Sequence, residues 1–78
     1  MSRKKRWIDV MLTAHEPDDL RRVIAEAREE VAEYRQFHVD LTKVGGGEQL
    51  FEDHFRKDYD DARVSVIIGD ARLQRMTA

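Results

Sequence analysis

The stretch of the chain most like a chemical site is Thr42-Lys43-Val44-Gly45-Gly46-Gly47-Glu48. Glycines that end a strand and open a helix leave backbone N–H groups exposed, and such groups cradle phosphate. Lys43 adds a positive charge, so Lys43, Gly45, Gly46 and Gly47 form a candidate anion site. Against it, the Walker spacing is absent and Leu50 stands where the dinucleotide pattern requires a third glycine. Glu48 and Glu52 would also repel an anion, and a plain turn is the competing reading.

Two further clusters carry titratable groups. His15-Glu16 with Asp18-Asp19 offers an imidazole and carboxylates that suit a divalent ion, yet the same residues are what a helix N-terminus selects on dipole grounds. No metal ligand is assigned. His38 and Asp40 stand two apart, and His54 falls beside an apolar stripe; neither arrangement supplies the pocket that acid–base catalysis needs. There is no cysteine, and Ser2 and Ser65 are the only serines. The chain therefore reads as a non-enzyme with no cofactor. Arg3, Lys4, Lys5 and Arg6 form a basic run ahead of Trp7, which offers a short arm for nucleic acid.

The elements that must hold these groups are limited by size. Seventy-eight residues allow one domain with a small core. Hydrophobic residues at 41% and charged residues at 38% exclude a disordered tail, and no apolar run is long enough for a membrane helix. The charged start leads into a segment broken by Asp9, not into a signal-peptide core, so a cytoplasmic location is expected. Beyond Arg6 the chain holds 10 basic and 16 acidic residues. An acidic body repels a phosphate backbone, which confines nucleic-acid binding to the basic arm.

Alternation at Ile8, Val10, Leu12 and Ala14 predicts a first strand over 7–14. Pro17, Asp18 and Asp19 predict a helix start, followed by an apolar stripe from Leu20 to Tyr34. Phe37, Val39 and Leu41 predict a second strand, ended by the three glycines. Leu50, Phe51, His54, Phe55, Tyr59 and Ala62 predict a second helix over 48–61, whose C-terminal end Asp60 and Asp61 would oppose. The β-branched run 63–68 predicts a third strand, stopped at Gly69-Asp70. The expected fold class is thus α/β: a small β-α-β-α-β two-layer sandwich, a three-stranded sheet with both helices on one face. Residues 1–6 are the basic arm, 7–70 the domain and 71–78 a short C-terminal tail in which Leu73 and Met76 pack as a helical turn.

Asp61–Arg72 resembles the strand of Rossmann-type methyltransferases and spermidine synthases that ends in Gly-Asp-Ala/Gly-Arg. In those families the aspartate at the place of Asp70 helps bind the adenine end of the cofactor. The likeness covers 12 of 78 residues, and the 16 residues between Gly47 and Val64 leave no room for that family's upstream strand and helix. The chain is not assigned to it.

On the open face of the expected sheet, Trp7, Met11, His38 and Ile67 form a partly apolar patch. Such patches mark contact surfaces, and a bare three-stranded sheet gains from being covered. The expected function is a non-catalytic interaction module that forms a homodimer or docks on a protein partner through this face. An adaptor, inhibitor or accessory protein of bacterial or phage type has this character. The alternatives are a nucleic-acid-associated protein using Arg3–Arg6 and a small anion or metal binder at the strand ends.

Overall fold

Pro17 sits in the first turn of a helix, where its missing N–H has no partner to lose, and Asp18 and Asp19 face the positive end of the dipole. In the computed structural model, which describes residues 6–78, that helix runs well past Tyr34. Four helices are present among the described residues: α1 (Trp7–Thr13), α2 (Pro17–Thr42), α3 (Gly47–His54) and α4 (Arg56–Thr77). No strand occurs among them, so the expected α/β sandwich is corrected to an all-helical fold.

Each expected strand fails for a physical reason. Segment 7–14 fits two periods, because Trp7, Val10, Met11 and Ala14 also fall at i, i+3, i+4 and i+7. The helical set wins: it buries Met11 completely, with Trp7, Val10 and Ala14 packed around the same core. The expected second strand continues α2. Leu20, Ile24, Ala27, Val31, Tyr34, His38 and Leu41 follow one another in alternating steps of four and three, and this stripe is the helix's buried and half-buried side. Phe37 and Val39, which suggested a strand, lie off the stripe and are exposed. The third strand and the expected tail both belong to α4, which continues to Thr77. Tyr59, Ala62, Val66, Gly69, Leu73 and Met76 repeat the same two steps along it. The segment that resembles a methyltransferase strand is therefore helical.

The matched stripes bring α2 and α4 together antiparallel. Tyr34 lies beside Tyr59 with ring centroids 6.3 Å apart, and Arg28, earlier in α2, pairs at 2.9 Å with Asp70, later in α4. Spacing of this kind gives a coiled-coil-like seam. Gly69 lets a third helix approach. A Cβ at this position would stand 2.6 Å from Met11 Sδ and 2.9 Å from Ile24 Cγ1, so α1, α2 and α4 meet where that side chain is missing. Around this point Met11, Leu20, Val23, Ile24 and Ala27 form the main core.

A second packed region lies at the far end of α2. Phe51 of α3 is fully buried; its ring stacks on His38 at 4.2 Å and meets Tyr59 edge-on at 5.9 Å. The three glycines do end an element, as expected, but it is a helix. Gly46 adopts φ 79°, the left-handed region that favours glycine. Gly47 is buried, and a Cβ there would lie 1.9 Å from the Leu41 carbonyl oxygen. The expected helix over 48–61 divides at Phe55, whose φ of −125° separates α3 from α4. Asp60 and Asp61 consequently stand in the second turn of α4 and not at a helix C-terminus, where the dipole would oppose them.

Candidate functional site

The lengths of the helices create a cleft. By the rise of 1.5 Å per residue, α2 and α4 are about 39 and 33 Å long and α1 is only about 10 Å. α1 fills the groove between the long helices around Gly69, and beyond Trp7 the groove opens. The opening has a volume of about 570 Å³. Trp7, Ile8 and Val10 of α1 line it, with Tyr34 of α2 and Val64 of α4 completing an apolar floor. Glu26 and Glu30 of α2 and Asp58, Asp60 and Asp61 of α4 form an acidic rim, with Arg6 the one cationic side chain in the described lining.

The rim is held in place by the fold. Trp7 Nε1 donates to Glu30 Oε2 and so pins α1 to α2. Asp60 pairs with Arg63 at 3.5 Å and with Arg56 at 4.0 Å on its own helix. Asp58, Asp61 and Glu26 have no ion-pair partner among the described residues. The Tyr34 phenol registers the resulting field. Burial and then the negative charges of Asp58 and Glu30 raise its pKa above the ordinary 10.0.

The residues singled out from the sequence are dispersed. Trp7 lines the cleft, whereas Met11 is a core residue with no exposed surface. His38 is half-buried against Phe51 at the other end of α2. Ile67 is 67% exposed on α4 and is not among the residues that line the cleft. With no sheet among the described residues, the four do not share a sheet face. Of the basic arm, Arg3, Lys4 and Lys5 lie outside the described residues, and Arg6 is exposed at the N-cap of α1. In the glycine turn the Gly47 amide donates to the Val44 carbonyl at 2.9 Å, and Lys43 is exposed. His15 and Glu16 are exposed between α1 and α2, while Asp18 and Asp19 pair with Arg21 and Arg22 at 2.8 and 3.6 Å. These clusters stand at helix ends, not at the strand ends expected for a small binder.

The rim carboxylates were not singled out as a site from the sequence. Their signal is the excess of acid beyond Arg6, but only the packing shows that five of these side chains border one opening. Comparison with known protein families, curated proteins and solved structures finds no match to this chain. No helix among the described residues is long and apolar enough to cross a membrane.

Proposed function

We propose that the chain is a non-catalytic interaction module whose α1–α2–α4 cleft receives a cationic, amphipathic segment of a protein partner. The observation that carries this reading is the pairing of an apolar floor with a rim of five carboxylates in one opening of about 570 Å³. Apolar side chains of the partner would be buried against Trp7, Tyr34 and Val64, the central contribution at most interfaces. The rim selects the sign of the partner's charge and speeds its encounter. A lysine- or arginine-flanked apolar segment satisfies both demands.

The test is selection of a random peptide display library on the whole chain. Enriched sequences are expected to combine basic residues with bulky apolar ones. Their binding should weaken with added salt, shift the emission of Trp7 and be lost in Asp58→Asn/Asp61→Asn. Enriched peptides that lack basic residues, or that bind this double variant undiminished, would overturn the reading.

A further inference from the structure

We propose that His38, Glu48 and Glu52 form a zinc-binding site that clamps α2 to α3. The three side chains converge from two helices: one ligand atom from each lies within 4.8 Å of the others. His38 Nε2 stands 3.3 Å from Glu48 Oε1. Zinc bonds of about 2.0–2.1 Å at tetrahedral angles put neighbouring ligand atoms about 3.3–3.4 Å apart, so this pair already has the spacing of a metal edge. Glu52 lies one turn along α3 from Glu48, on the same side of the helix, with a carboxylate oxygen within 4.8 Å of the other two ligand atoms.

The surroundings orient the ligands. Stacking on the fully buried Phe51 ring fixes the His38 imidazole and keeps Nε2 directed toward Glu48. Arg56 donates through Nε and Nη2 to the Glu52 carboxylate, at 3.2 and 2.6 Å to Oε1, as outer partners of ligating carboxylates do. Its positive charge also lowers the attraction for a cation, which makes this a weaker site than a closed structural one. One imidazole with two carboxylates favours zinc over calcium or magnesium, whose sites are built from oxygen alone. The site lies beside Phe51, apart from the acidic cleft, and does not depend on the reading of that cleft.

Isothermal titration of the whole chain with zinc chloride tests the proposal. One zinc per chain is expected, with an affinity reduced at least ~10-fold by His38→Gln and by Glu48→Gln. Glu48 is exposed, so the second variant keeps the test valid if the first fails to fold. His15→Gln and His54→Gln are expected to bind as the parent does, and calcium and magnesium to give no saturable binding. Absence of zinc binding, binding unaffected by Glu48→Gln, or binding that follows His15 or His54 would each overturn the assignment.

Discussion

Arg72 caps α1 from across the molecule, its Nη1 donating to the Ala14 carbonyl at 2.9 Å and also to the Met11 carbonyl. The last carbonyls of a helix lack intrahelical donors, and a cation is favoured at that end. The contact therefore completes α1 and fixes it along α4 in one step. Arg72→Ala is expected to cost about 1.5–3 kcal/mol, the range for hydrogen bonds to a charged group. Arg72→Lys should recover part of it. Urea denaturation followed by Trp7 fluorescence checks both, because Trp7 sits on the helix that is released.

Gly69→Ala sets two effects against each other. Alanine gains about 1 kcal/mol in helix propensity, but its methyl group would overlap Met11 Sδ and Ile24 Cγ1. Overpacking of this kind costs about 1–3 kcal/mol, and the Ile24 contact is close to a branch point that cannot swing away. A net loss of up to about 2 kcal/mol is expected. Met11→Ala opens room at the same place, so the double variant should be less unstable than the two single losses added together.

The three glycines of the turn should rank sharply under substitution by alanine. Gly47→Ala forces a methyl against the Leu41 carbonyl and is expected to cost about 2–4 kcal/mol. Gly46→Ala meets open space but must hold φ 79°, at about 1–2 kcal/mol. Gly45→Ala meets open space without that constraint, and reduced freedom of the unfolded chain makes it neutral to stabilising by about 0.5 kcal/mol. Denaturation midpoints of the three variants read the order directly.

The alkaline limb of stability should carry the mark of the acidic cleft. The folded chain holds the Tyr34 proton more tightly than the unfolded chain does. That contribution is complete below about pH 10 and declines as pH rises from there through the folded value. Tyr34→Phe is expected to flatten this decline, and Asp58→Asn to lower the pH at which the Tyr34 phenolate forms. Tyrosinate absorbance, taken as the difference from the Tyr34→Phe variant, measures the second effect.

At the acid end the sign reverses. Hydrogen bonds from Arg56 hold the exposed Glu52 carboxyl below its ordinary 4.5. Its contribution is present above about pH 4.5 and is lost as pH falls through the lowered folded value. Glu52→Gln should remove this part of the acid dependence, so that the two proteins differ at neutral pH and converge as pH falls. A pH series of thermal denaturation curves that is identical for the two proteins would show that the pair has no influence.

Local chemistry marked the two ends of α2. Pro17-Asp18-Asp19 announced α2, its stripe from Leu20 to Tyr34 was legible, and the three glycines marked its end. The acidic excess of the body was equally plain. What local reading missed was continuity. Segments 7–14, 37–41 and 63–68 are short enough to satisfy periods of two and of 3.6 together, and their β-branched residues disfavour a helix by less than about 1 kcal/mol each. Burial along an entire helix outweighs that preference, and the four-and-three spacing emerges only when Tyr34, His38 and Leu41, or Ala62, Val66 and Gly69, are read as one series. Gly69-Asp70 reads locally as the stop of a strand, yet Gly69 stands inside α4 because Met11 and Ile24 occupy the space a side chain would need. Likewise, the sequence supplied Trp7 and the carboxylates of 58–61, but no local pattern places α1, α2 and α4 around one opening. Only the tertiary packing of a short helix between two long ones decided that.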